Sequence, residues 1–138
     1  MSKNVENIRR GYEAWNGNDT DGVLRDLDPE IEWRPRLGAA GVRATLYRGH
    51  EGVLAYKREV EEALGVIEVD VLSIEDLGDH VLVHVCARGQ GSASGVQVEA
   101  EAFHLWTMNA GRAIRFTTYD RRDEALEAAR TGLAGSNR

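Results

Sequence analysis

The stretch from Gly95 to Tyr119 limits the fold of this chain more than any other. Val96, Val98, Ala100, Ala102, His104, Trp106 and Met108 occupy every second position. Asn109-Ala110-Gly111 reads as a turn, and Ile114, Phe116 and Thr118 resume the alternation. Successive strand residues point to opposite faces, so the pattern predicts an antiparallel pair sharing one apolar face. His104 and Thr118 are the polar members of that face. A lone imidazole among apolar side chains suits a small-molecule pocket. It equally suits a closed core whose histidine is bonded to Tyr12 or Thr118.

The remaining elements follow from periodicity and breakers. Val5, Ile8, Tyr12 and Trp15 recur at helical spacing and predict an amphipathic helix from about Asn4 to Trp15, stopped by Asn16-Gly17-Asn18. Asp19 or Thr20 caps a short helix with Val23, Leu24 and Leu27, broken by Asp28-Pro29. A strand over Glu30–Arg34 ends at Pro35, and a loop rich in Gly and Ala runs from Arg36 to Arg48. Val53, Tyr56, Val60 and Leu64 mark a third helix. The next strand begins near Val66, and its apolar parity flips between Val71 and Leu72, which predicts a β-bulge there. Gly78-Asp79 turns the chain into a strand over His80–Arg88, and Gly89–Gly95 forms a loop. Asp120 opens and caps a last helix with Ala125, Leu126, Ala129 and Leu133.

The expected architecture is α+β: a curved antiparallel sheet with helices on one side, in a single domain spanning 1–138 with its core over about 4–133 and a frayed tail at 134–138. Phe103 and Leu105 are apolar on a strand face that begins with Glu99 and Glu101. Such a half-face needs a second cover, either the C-terminal helix or a partner subunit, and a homodimer is the favoured expectation.

Composition removes several function classes. The net charge of −6 and the lack of any Lys/Arg run argue against nucleic acid or an anionic membrane surface as partner. Cys86 is the sole cysteine, so no internal disulfide forms and a reducing cytoplasm is expected. No stretch reaches membrane-spanning length, and the N-terminus lacks an apolar signal core. No metal site is expected from His50, His80, His84 and His104; His80 and His84 would stand about 13 Å apart on one strand. Gly89–Gly95 lacks the lysine and the following helix of a phosphate loop, and no cofactor is expected.

Several segments together resemble a known family. They are Arg10-Gly-Tyr-Glu-Ala-Trp-Asn-Gly-Asn-Asp19, Leu27-Asp-Pro-Glu-Ile-Glu-Trp-Arg-Pro35, Tyr47-Arg-Gly-His-Glu-Gly52, Ala102-Phe-His-Leu-Trp-Thr-Met-Asn-Ala-Gly111 and Tyr119-Asp-Arg-Arg-Asp-Glu-Ala-Leu126. In this order they resemble the SnoaL-like branch of the nuclear transport factor 2-like superfamily. That resemblance implies a cone-shaped fold, a bent sheet wrapped around N-terminal helices with a central pocket, often in a homodimer. The superfamily includes polyketide cyclases, ketosteroid isomerases, dehydratases and members without chemistry, so function must be argued from the site. Against the cyclases, His104 matches a histidine before the hairpin glycine, and Thr118 stands where they carry an acid/base aspartate. Against the isomerases, Tyr12 matches an oxyanion-binding tyrosine, His104 replaces a protonated carboxylic acid, and Arg34 stands where they carry the base.

His104 and Tyr12 are therefore the candidate catalytic pair, as acid/base and hydroxyl donor. Trp15, Trp33, Arg34, Trp106, Phe116 and Thr118 are the candidate ligand-binding residues. Ile31 and Trp33 form the apolar parity of their strand, which would turn Glu32 and Arg34 outward; the family comparison would turn them inward. Asp120 shares parity with Thr118 and is either a helix cap or a carboxylate at the pocket mouth. The expected ligand is a small hydrophobic molecule bearing carbonyl or hydroxyl oxygens. The activity is of the isomerase, cyclase or dehydratase type, or else the protein binds without turnover.

Overall fold

The computed structural model describes residues 2–35, 46–90 and 97–131. Helix α1 spans Lys3–Asn16, α2 Thr20–Arg25, α3 Gly49–Leu64 and α4 Arg122–Thr131. The strands are β1 (Leu27–Arg34), β2 (Tyr47–Arg48), β3 (Ile67–Asp76), β4 (His80–Gln90), β5 (Gln97–Asn109) and β6 (Arg112–Tyr119). They form one curved sheet in the order β2-β1-β6-β5-β4-β3. The N-terminal helices pack on its inner face and α4 on its outer face. The result is the cone expected from the sequence. Most of the two loops expected after Pro35 and Gly89, together with Val96, Leu133 and the tail, lies outside the described residues.

Local chemistry explains the element ends. Ser2 caps α1 by accepting from the Val5 amide, and Asp19 caps α2 by accepting from the Gly22 amide. Leu72 is the extra residue of a bulge between Val71 and Ser73, as the parity flip predicts, and it is left half exposed. Ala110 and Gly111, both at positive φ, make the tight turn between β5 and β6.

Four features differ from the sequence reading. β1 starts at Leu27, ahead of Pro29, and its pairing with β6 is parallel and irregular between Leu27 and Glu32. The short strand β2 pairs with β1 inside the stretch read as a loop. In β6 a second bulge skips Ile114: Met108 faces Ala113 while Thr107 faces Arg115. Ala113 thus takes the fully buried core position, and Phe116 and Thr118 return to the inner face. The last difference concerns the apolar half-face. Leu105 and Leu82 are sealed by Ala125 and Ala128 of the chain's own α4, with Phe103 and Tyr119 packed beside them. The cover expected of a partner subunit is supplied within the chain.

Candidate functional site

The inner face of the sheet and the helices enclose a cavity of about 930 Å³. Helix α1 is pinned across it by two asparagines. Asn7 Nδ2 donates to the Gly111 carbonyl at 2.8 Å, next to the β5–β6 turn. Asn16 pairs with both backbone groups of Val69, its Nδ2 donating to the carbonyl at 2.8 Å and its Oδ1 accepting the amide at 2.8 Å. Asn16 therefore does more than end a helix: it fixes α1 to the edge strand β3. Trp15 Nε1 adds a bond to the Ile67 carbonyl at 3.1 Å. Tyr12 lies between these anchors and is 7% exposed.

Tyr12 is the centre of a polar relay. Trp106 Nε1 donates to the Tyr12 oxygen at 2.9 Å, and that oxygen lies 2.7 Å from His104 Nδ1. An indole nitrogen only donates, so the Trp106 bond has a fixed direction, whereas between Tyr12 and His104 the imidazole tautomer sets which of the two donates. Burial pushes the His104 pKa down from the ordinary histidine value to about 3. Burial also raises the Tyr12 pKa, with the Trp106 bond opposing it. At neutral pH both groups are uncharged hydrogen-bonding groups. Burial thus works against the near-neutral proton shuttle expected from its type alone.

The walls around this relay are aromatic. All three tryptophans of the chain line the cavity. Trp33 stacks on Phe116 with centroids 4.1 Å apart, and Trp106 meets Phe116 at 4.6 Å and Trp33 at 5.6 Å. Tyr56 of α3 completes the wall against Trp33 and Trp15 at 5.7 and 6.4 Å. The sequence reading counted Tyr56 only as a helix-stripe residue. Its place between Val53 and Val60 on an apolar stripe was the available signal.

Of the expected site residues, Tyr12, Trp15, Trp33, His104, Trp106, Phe116 and Thr118 all line the cavity. Arg34 does not. Ile31 and Trp33 take the inward parity of β1, so Arg34 points out of the sheet and its side chain is 52% exposed. There Glu32 is surrounded by Arg115 at 2.8 Å, Arg48 at 3.3 Å and Arg34 at 3.6 Å. Burial opposes ionisation of Glu32, but the arginines, Arg115 foremost, hold its carboxyl below the usual range. Asp120 lines the cavity and stands outside α4, which begins at Arg122. Among the described residues, no group of three or more His, Cys, Asp or Glu side chains is arranged to hold a metal ion.

Residues 8–116 match the profile of the SnoaL-like domain. The chain belongs to the SnoaL-like family. Solved structures with this fold agree with that placement. A nuclear transport factor 2-like protein of unknown function from Burkholderia pseudomallei K96243 is 24% identical, with a TM-score of 0.78, over 99% of this SnoaL-like chain and 100% of its own. TerC, co-crystallised with polyporic acid, is 26% identical, with a TM-score of 0.78, over 98% of this chain and 100% of its own. A protein from Jannaschia sp. CCS1 described as a SnoaL-like polyketide cyclase is 20% identical, with a TM-score of 0.72, over 98% and 94% of the two chains. No curated protein matches this SnoaL-like chain. No helix among its described residues is long and apolar enough to cross a membrane.

Proposed function

We propose that the cavity binds a small, flat, largely apolar molecule whose oxygen is held by the Tyr12–His104 pair. The observation that carries this reading is an open aromatic cavity whose wall bears one ordered neutral relay, Trp106 to Tyr12 to His104. The co-crystal of TerC, similar over its whole length, with polyporic acid supports a small-molecule occupant. The chemistry that suits these groups is of the isomerase, cyclase or dehydratase type. In it, the Tyr12–His104 pair, with one proton held in the bond between its members, offers its other proton as a neutral donor to developing negative charge on a substrate oxygen. A second reading, binding without turnover, is favoured by one observation: the bonded partner of His104 is Tyr12 and not a carboxylate.

Titration with 2-acetonaphthone, followed by calorimetry and by tryptophan fluorescence, tests the binding reading. Saturable binding is expected, with a change in emission because every tryptophan lines the cavity. Ala102→Phe, which fills the cavity from β5, should abolish binding while leaving the circular dichroism unchanged. Binding that survives this substitution would place the ligand elsewhere. Turnover is sought with conjugated ketones, polyketide-like aromatics and epoxides. His104→Gln should then lower any rate found by roughly 10²–10⁴-fold. A rate unchanged by His104→Gln would remove His104 from the chemistry.

A further inference from the structure

We infer that Asn16-Gly17 is a modification site: Asn16 deamidates through attack by the Gly17 backbone nitrogen, the docking of α1 on β3 holds the reaction off, and the product cannot re-form that docking. The inference is independent of what the cavity binds.

Three observations lead to it. The first is a pairing in the sequence. Asn16 precedes a glycine, whereas Asn4, Asn7, Asn18, Asn109 and Asn137 precede bulkier residues. Without a Cβ, glycine leaves its amide nitrogen open to the side chain before it. In the reaction the Gly17 nitrogen bonds to Asn16 Cγ, the Cγ–Nδ2 bond breaks, and Nδ2 leaves as ammonia, which gives a cyclic imide. Water then opens the imide at either carbonyl and leaves aspartate or isoaspartate.

The second observation is that the reacting groups are held. Asn16 Nδ2 donates to the Val69 carbonyl and Oδ1 accepts the Val69 amide, each at 2.8 Å. The Gly17 amide donates to the Glu13 carbonyl at 2.9 Å. Cγ cannot turn toward the Gly17 nitrogen until these bonds open. Both residues are exposed, so water reaches them when they do. The rate then follows the fraction of time that the end of α1 is undocked. The third observation is the chemistry of the anchor. A carboxamide both donates and accepts, which matches the C=O and N–H of one edge-strand residue; a carboxylate only accepts. Aspartate at this position leaves the Val69 carbonyl without its donor, on a strand segment that carries Glu68 and Asp70. Isoaspartate also lengthens the backbone before Gly17 and disturbs its bond to Glu13. Asn7, which pins α1 beside the β5–β6 turn, is followed by the β-branched Ile8. The helix thus has one durable anchor and one that is lost by opening, with Tyr12 between them.

The test follows Asn16 in the full chain at mildly alkaline pH, folded and in denaturing urea, by mass spectrometry of the tryptic peptide Gly11–Arg25. In urea Asn16 should convert at least tenfold faster than Asn109. In the folded protein it should convert at least tenfold more slowly than in urea. Equal rates for Asn16 and Asn109 in urea would remove the site. Equal rates for Asn16 with and without urea would show that docking does not guard it. Gly17→Ala, at a φ of −89° that suits alanine, should keep the anchor and slow the reaction in urea severalfold. An unchanged rate would mean that the Gly17 nitrogen is not the nucleophile. The consequence is read in Asn16→Asp by hydrogen exchange. The amides from Glu13 to Asn16 should exchange at least tenfold faster than in the wild type, while those of β5 keep their protection. Unchanged exchange in α1 would overturn the claim that the product cannot dock. If Asn16→Asp does not fold, the deamidated fraction of aged wild-type protein, separated by ion exchange, gives the same reading.

Discussion

Two rows of residues cross this sheet side by side, one position apart along the strands, and they are built from opposite chemistry. The inner row runs Tyr47, Trp33, Phe116, Trp106 and Val81 through β2, β1, β6, β5 and β4. The outer row runs Arg48, Glu32, Arg115, Thr107 and His80 through the same strands. Each inner residue is the sequence neighbour of an outer one, so pleating alone separates an aromatic wall from a chain of ion pairs. The inner row gains from dispersion and ring contacts that need no partner from water. The outer row competes with water at its exposed end, as the exposure of Arg48 shows. Both cover the same strands, but stability and site shape should depend mainly on the inner one.

The largest expected effect comes from breaking the inner row at its centre. Trp106→Ala removes a buried indole, its contacts with Trp33 and Phe116, and the donor that fixes Tyr12. A loss of about 3–5 kcal/mol in urea unfolding is expected. A loss below about 1 kcal/mol would mean that the aromatic wall does not hold the sheet.

A smaller effect should come from pH. The folded His104 has its pKa depressed to about 3 from 6.5, so below 6.5 the unfolded chain binds a proton that the folded chain refuses. The stability tied to a neutral His104 is complete above 6.5 and is lost as pH falls from there toward about 3. His104→Gln should flatten this part of the stability profile, and the His104 ring signals should not titrate between about pH 5 and 8 in proton NMR. A ring that titrates near 6.5 would contradict the neutral relay.

Least should follow from Arg34→Ala on the outer face. A change within about 0.5 kcal/mol is expected, since the side chain is 52% exposed and the contact to Glu32 is long at 3.6 Å. Ligand affinity should not move. A tenfold loss of affinity would restore Arg34 to the site.

Much of this was legible in the sequence because side-chain pattern and strand parity agreed. Val71 and Leu72 broke the alternation openly, and the bulge is there. Ile31 and Trp33 declared the inward face of β1 and were better guides to Arg34 than likeness to a catalytic template. The second bulge was hidden. Ile114, Phe116 and Thr118 alternate without a break, and the small Ala113 that takes the core position carries little pattern of its own. The parallel pairing of β1 with β6 joins distant parts of the chain, and β2 is two residues long, so neither leaves a periodic trace. The lowered pKa of His104 comes from its surroundings inside the cone, which residue type does not reveal. The choice between a partner and α4 as cover for Leu105 turned on where a helix packs, not on which residues are apolar.

The skipped Ile114 carries a consequence for how this domain can vary. The hairpin turn and the cavity wall share one strand, yet the bulge lies between them and absorbs one residue of phase. Deleting Ile114 would remove the spare residue and keep the register: Ala113 would stay opposite Met108, Arg115 opposite Thr107 and Phe116 opposite Trp106, so Phe116 and Thr118 would still face the cavity. The bulge is thus a reserve of one residue of phase held between the turn and the chamber. One codon can be lost here without turning a cavity side chain outward, whereas the same loss in the regular part of β5 would reverse every side chain on one side of it.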